Sequence, residues 1–172
     1  RNPTTQGGKL VFPVTWDSNC LEEVCGSCTM IINGKVRQAC TALVDNLEKP
    51  ITLEPMSKFP VVRDLQVNRN RMFENLKKVK AWINIDGSHD IGEGALMADS
   101  DRTKRYGMSE CMTCGCCLAA CPQFTLNNSF MGAATFNQVR LFNLHPTGSM
   151  NKEERLDTIM GEGGITDCGN AQ

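Results

Sequence analysis

Residues 20–28 read Cys20-Leu21-Glu22-Glu23-Val24-Cys25-Gly26-Ser27-Cys28, and Cys40 follows after eleven further residues. Cysteines this close on one tight loop point their sulfurs toward a single spot. That geometry suits a shared metal centre and is poor for mutual disulfides. The remaining six of the ten cysteines are Cys111, Cys114, Cys116, Cys117 and Cys121 in a second tight group, and Cys168 alone. Seventy residues without cysteine separate the two groups. Disulfide frameworks of small secreted proteins spread their cysteines through the chain instead, so the pattern points to a reducing compartment.

The spacing Cys20-x4-Cys25-x2-Cys28 is that of a plant-type [2Fe–2S] loop, which needs a more distant fourth thiolate. Cys40 supplies it. Gly26 lies inside the loop, where the backbone must come close to the cluster and turn its N–H groups toward sulfur. Such hydrogen bonds stabilise the more negative, reduced cluster and tune its potential. Zinc held by four thiolates is the alternative, but zinc sites use two C-x2-C pairs and only Cys25 and Cys28 form one.

Cys111-x2-Cys114-x2-Cys117-x3-Cys121-Pro122 is the bacterial-ferredoxin run with its trailing proline. In that run three cysteines hold one cubane and the fourth reaches to another cluster, so Cys121 implies a further centre. Only Cys168 remains downstream, and the count of ligands does not close. Either Cys116 and Cys168 are improvised ligands, or a missing tail carries the rest. Cys116 cannot easily turn the same way as its neighbour Cys117, which favours a small buried residue. The chain starts at Arg1 and enters the first loop after nineteen residues, where a supporting sheet wants upstream strands. A fragment truncated at both ends is the expectation.

Outward from these groups, the first third reads as β. Thr29 to Ile32 and Lys35 to Gln38 flank Asn33-Gly34, a type I′ hairpin signal, and Thr41 to Val44 and Ile51 to Leu53 are further strand candidates. Leu65, Met72, Leu76, Val79 and Ile83 follow helical spacing, and residues 87–94 read as a loop. Ser109 is a candidate cap for a helical entry to the second group. Ala133 to Asn143 reads as a helix, and Asn151 with Glu154 as a capping box for another that ends near Gly161. The fold class is therefore α+β: residues 1–64 as a [2Fe–2S] unit, 65–105 as helix and linker, 106–172 as a helical unit with the second group. A net charge of −1, from 18 basic and 19 acidic residues, gives no field that argues for nucleic acid. No apolar run approaches the ~20 residues of a membrane-spanning helix.

With these residues in hand, the chain resembles the iron–sulfur subunit family of succinate dehydrogenase and fumarate reductase. The likeness rests on the two cysteine runs, Asn33-Gly34 before Cys40, Pro60-Val-Val-Arg63-Asp64-Leu65, and Phe130-Met-Gly132 leading to Arg140. Its wording is most similar to enzymes of Gram-positive bacilli. The resemblance implies an N-terminal β-grasp domain of plant-ferredoxin type and an all-α domain of bacterial-ferredoxin type, both incomplete here. It implies [2Fe–2S] on Cys20, Cys25, Cys28 and Cys40, [4Fe–4S] on Cys111, Cys114 and Cys117, and [3Fe–4S] on Cys121 and Cys168. The missing ligands would lie beyond Gln172, and Cys116 would be no ligand. Some relatives carry Asp where this chain has Cys28.

The same resemblance implies an electron-transfer subunit with no substrate chemistry of its own. Its partners would be a flavoprotein carrying FAD, a membrane-anchor cytochrome b and a quinone, with the chain peripheral on the cytoplasmic face of the membrane. Ubiquinone-reducing relatives have Trp residues after the proline equivalent to Pro122 and a His after the cysteine equivalent to Cys168. Here Thr125, Leu126 and Gly169 stand there, which favours menaquinone. A fumarate reductase subunit, a subunit of another oxidoreductase and a soluble carrier are the alternatives. His89 and His145 read as surface or turn residues, Lys77 and Lys78 as a solvated helix face, and the nine methionines as gap fillers.

Overall fold

The computed structural model describes residues 3–84 and 94–169. Its sheet is nucleated by the expected hairpin. Strands β1 (Thr29–Ile32) and β2 (Lys35–Gln38) pair antiparallel, with Met30 opposite Arg37 and Ile31 opposite Val36. Asn33 and Gly34 sit at φ 49° and 76°, the left-handed pair that a type I′ turn requires. The Asn33 side chain also accepts from the Thr52 N–H at 2.7 Å and donates to the Glu48 carbonyl at 2.8 Å. These bonds lay β3 (Leu53–Glu54) along the other edge of β1, giving the order β2-β1-β3.

The strand expected over Thr41 to Val44 does not form. Single turns of 3-10 helix, Ala39–Thr41 and Val44–Asn46, take its place. The reason is local: the Ala39 N–H is spent on the Cys28 carbonyl at 3.1 Å and the Cys40 N–H on the Cys28 sulfur at 3.4 Å. The chain has turned back toward the cysteine loop and left the sheet.

The helix expected from Leu65 begins later. β4 (Val61–Arg63) and β5 (Gln66–Val67) form a second, two-stranded hairpin through residue 64, and α1 covers only Asn70–Lys78. Residues 15–17 run beside this hairpin. Thr15 N–H donates to the Asp64 carboxylate at 2.8 Å, Leu65 N–H to the Thr15 carbonyl at 3.1 Å, and Gln66 Nε2 to Asp17 Oδ1 at 2.8 Å. In α1 the buried face is Met72 and Asn75, continued by Val79 just past its end, while Lys77 and Lys78 are exposed as expected.

Helix α2 (Asp99–Ser109) was not foreseen, and Ser109 ends it instead of capping the next element. Its hydroxyl donates back to the Tyr106 carbonyl at 2.7 Å. The helix buries no residue and is laced by Arg102–Asp99 and Lys104–Asp101 pairs one turn apart. A helix that is polar all round has no apolar stripe to read. Helices α3 (Cys116–Ala120), α4 (Ala133–Asn143) and α5 (Lys152–Met160) follow. Asn151 precedes α5 as expected, but its side chain bonds side chains, Glu154 at 3.3 Å and Asn84 at 2.7 Å, and caps no backbone N–H. The expected loop over residues 87–94 and His89 lie outside the described residues, apart from Gly94.

The core runs across the two cysteine-bearing parts of the chain. One buried cluster joins Met56, Phe59, Val67 and Met72 to Leu118, Ala119, Phe124, Phe130 and Ala134. At its centre the rings of Phe59 and Phe124 lie 5.6 Å apart and tilted by 37°, a contact worth about 0.5–1.5 kcal/mol beyond burial. A smaller cluster of Val79, Met131, Val139 and Ile159 packs α4 against α5. Three of these core side chains are methionines, whose flexible thioethers fill irregular space between elements.

Candidate functional site

The first cysteine loop, residues 20–28, wraps its own sulfurs in backbone N–H groups. Cys20 Sγ accepts from Glu22 at 3.5 Å and from Val24 at 3.4 Å, and Cys25 Sγ accepts from Ser27 at 3.4 Å. The Cys28 sulfur accepts from Cys40 N–H, which brings the fourth cysteine to the loop across the hairpin. Leu21 and Glu23 take φ 63° and 60°, so the loop curls tightly enough to aim successive amides inward. The Ser27 hydroxyl, helped by amides and the thiol of Cys20, holds the Cys25 thiol down at about 6. The shift favours the thiolate, the form that binds metal. Desolvation and then the neighbouring Cys28 thiol push Cys40 upward. Cys25 meets Cys20, Cys40 meets Cys28, and backbone amides surround these sulfurs, a set of thiols of the kind that an Fe–S cluster needs.

In the second group, Cys111, Cys114 and Cys117 lie around the turn that enters α3. Gly115 caps that helix at φ 86°. Contact with the Cys116 thiol is the main reason that Cys114 is lowered to about 6, and the Arg69 guanidinium adds to it. Although Cys117 is exposed as a residue, desolvation of its thiol and then the charges of Cys114 and Cys111 push it up. The three run cysteines therefore sense one another. Cys116 is different: its thiol is raised, first by the bond to Cys114 and then by burial, and it faces the Thr29 hydroxyl. Its thiol thus lies between Cys114 and Thr29 of β1.

The two loops touch. A Cβ on Gly26 would stand 2.6 Å from the Cys114 Cα, so the first loop passes directly over the second. Gln38 Nε2, at the end of β2, lies 3.2 Å from Met112 Sδ. Arg69, at the start of α1, donates to the Gly26 carbonyl at 2.5 Å, the Ser27 carbonyl at 2.8 Å and the Cys114 carbonyl at 3.5 Å. Beside it a cleft of about 540 Å³ opens between the loops, lined by Cys25, Ser27, Arg69, Met112 and Thr113 among others. Sequence reasoning missed Arg69, since nothing local distinguishes it from a surface arginine.

Cys121 ends α3 half-buried against the main core, and Lys58 Nζ donates to its carbonyl. Cys168 is exposed, but the residue after it packs on the stretch following Cys121: a Cβ on Gly169 would meet Gln123 Nε2 at 2.3 Å. The structure so brings the neighbourhoods of Cys121 and Cys168 together. Arg71 lies over the Phe124 ring at 4.1 Å and donates to the Thr125 and Phe130 carbonyls, fixing the 123–130 loop beside them. His145 Nδ1 accepts from the Thr147 and Gly148 N–H groups, a turn role. Among the described residues, no three Cys, His, Asp or Glu side chains close onto one metal-ion position. No helix among them is long and apolar enough to cross a membrane.

Residues 7–74 match the family model of a 2Fe-2S iron-sulfur cluster binding domain. The succinate dehydrogenase iron-sulfur subunit of Bacillus subtilis (strain 168) is 62% identical over 172 residues, which cover 100% of this chain and 68% of that protein. The chain belongs to the family of succinate dehydrogenase and fumarate reductase iron–sulfur subunits. Its membership makes it an electron-transfer subunit of an oxidoreductase. The fumarate reductase iron-sulfur subunit of Wolinella succinogenes is 31% identical over 158 residues, 90% of this chain and 66% of that one. In the solved Mycobacterium smegmatis Sdh1 complex in the apo form, one chain shares the fold at a TM-score of 0.69 and 22% identity. That match covers 84% of this chain and 64% of the other. The chain spans about two thirds of the length of the relatives it matches. The expected likeness to Gram-positive bacilli agrees with the Bacillus relative.

Proposed function

We propose that this chain, within its full-length subunit, carries electrons from a flavoprotein that oxidises succinate, by way of three iron–sulfur clusters, to a quinone. The observation that carries the reading is the direct contact of the two cysteine loops at Gly26 and Cys114. A carrier with one working centre has no need to press two metal loops together. The residues fit the groups. Cys20, Cys25, Cys28 and Cys40 would hold [2Fe–2S], Cys111, Cys114 and Cys117 three corners of [4Fe–4S], and Cys121 and Cys168 part of [3Fe–4S]. The ligands still needed would come from the subunit beyond Gln172. The clusters supply one-electron chemistry when bound. The chain's own residues present thiolates, aim amide N–H groups at sulfur and keep the centres close.

In this reading residues 1–64 belong to a β-grasp [2Fe–2S] domain and residues 106–172 to an all-α domain, with 65–105 joining them. The shared core of Phe59 and Phe124 then acts as the interface that fixes one against the other. FAD stays with the flavoprotein partner. A cytochrome b anchor would hold the assembly on the cytoplasmic face of the membrane. Thr125 and Leu126 in the loop held by Arg71, and Gly169 after Cys168, support menaquinone over ubiquinone. The higher identity to a succinate dehydrogenase subunit than to a fumarate reductase subunit favours succinate oxidation.

Affinity purification of the tagged full-length subunit from membranes is expected to bring down a flavoprotein and a haem protein in equal amounts. Adding succinate to that complex is expected to bleach its visible iron–sulfur absorption. A colourless subunit that purifies alone would contradict the proposal.

A further inference from the structure

Arg69 is half-buried between the two cysteine loops, and its guanidinium spends both terminal nitrogens on backbone carbonyls of the two. On one side are Gly26 and Ser27, flanked by Cys25 and Cys28. On the other is Cys114. Among the described residues no carboxylate pairs with it, and Asp17, which shares its cleft, is engaged by Gln66. A fixed and unneutralised cation therefore stands at the junction. A planar fork suits this task in a way that a point-charge ammonium does not, because it reaches several acceptors at once.

Resting on the cluster assignment above, we infer that Arg69 is a positioning residue for electron passage between the first two centres. It locks the loops at one separation, and its charge raises the electron affinity of both centres. The physical basis is simple. Each reduction adds one negative charge to a cluster, and a cation held against both ligand loops in a partly desolvated cleft favours that state. The lock matters because Gly26 and Cys114 touch through backbone atoms, which have no side-chain freedom with which to restore contact once parted.

The test uses the full-length subunit in its assembled complex and two variants. Arg69→Met removes charge and bridge, whereas Arg69→Lys keeps the charge and reaches one carbonyl at a time. Redox titration followed by EPR reads the charge, and the magnetic coupling between the two reduced clusters reads the separation. Arg69→Met is expected to lower the electron affinity of the [2Fe–2S] and [4Fe–4S] centres about tenfold, which is about 59 mV for a one-electron couple. Arg69→Lys is expected to titrate close to wild type while the coupling spreads over a range of separations. Wild-type potentials in both variants, or undisturbed coupling in Arg69→Lys, would overturn the inference. If Arg69→Met fails to retain clusters, the Arg69→Lys coupling decides alone. Cluster signals that are present and indifferent to Arg69 sink this inference only. Their absence from the wild type sinks the cluster assignment and this inference with it.

Discussion

Gly26→Ala is expected to part the two cysteine loops and to cost about 3–5 kcal/mol of stability, with loss of cluster retention in both. Two independent effects combine. Gly26 stands at φ +70°, where a Cβ costs about 1–2 kcal/mol. The new methyl would also sit 2.6 Å from the Cys114 Cα and 2.7 Å from its Cβ, so no side-chain rotation relieves the clash. Gly34→Ala separates the two effects. Gly34 has a similar φ of +76°, but nothing lies within 4 Å of its Cβ position, so it should lose only the backbone share, about 1 kcal/mol. Thermal unfolding and iron content of the two variants check the difference. Equal losses would mean that the loops do not meet as described.

Arg155→Met should be nearly as damaging although Arg155 bonds no residue of either cysteine group. Arg155 is 1% exposed. Its Nε donates to the Lys80 carbonyl at 3.0 Å, one terminal nitrogen to the Trp82 carbonyl at 2.9 Å, and the other to Asn143 Oδ1 at 2.9 Å and the Gly148 carbonyl at 2.5 Å. The side chain thus ties the segment after α1 to the α4–α5 corner. Hydrogen bonds to a charged group contribute about 1.5–3 kcal/mol each, less when they share one donor. A net loss of about 3–5 kcal/mol follows, seen as a Tm roughly 6–20 °C lower at this chain length. The neighbouring Lys80–Glu154 pair is exposed on both sides. Lys80→Met should therefore cost at most about 1 kcal/mol. A small effect of Arg155→Met would show that water replaces these bonds.

The sequence carried the chemistry of this chain farther than its shape. Cysteine spacing is local, so both runs could be read directly. The Asn33-Gly34 turn and α4 were legible because their signals, a φ-demanding dipeptide and an apolar period bounded by Pro146, are local as well. α2 was missed because it buries no residue, which leaves no hydrophobic stripe to read, and it meets α4 through contacts such as the Asn137 bond to the Met108 carbonyl. The β4–β5 hairpin was missed because its turn is held by Asp64 and Thr15, forty-nine residues apart. Arg69 and the contact of Gly26 with Cys114 were invisible for the same reason. They join positions more than forty residues apart, and only the folded chain brings them together.

The proposed assignment puts iron–sulfur clusters of three kinds on these cysteines in the intact subunit. EPR of the purified complex, oxidised and then reduced in steps, tests it most directly. Of the iron–sulfur signals, the oxidised sample should show only the three-iron one, and reduction should bring up separate [2Fe–2S] and [4Fe–4S] signals as that one disappears. An EPR-silent protein with stoichiometric zinc would contradict that assignment.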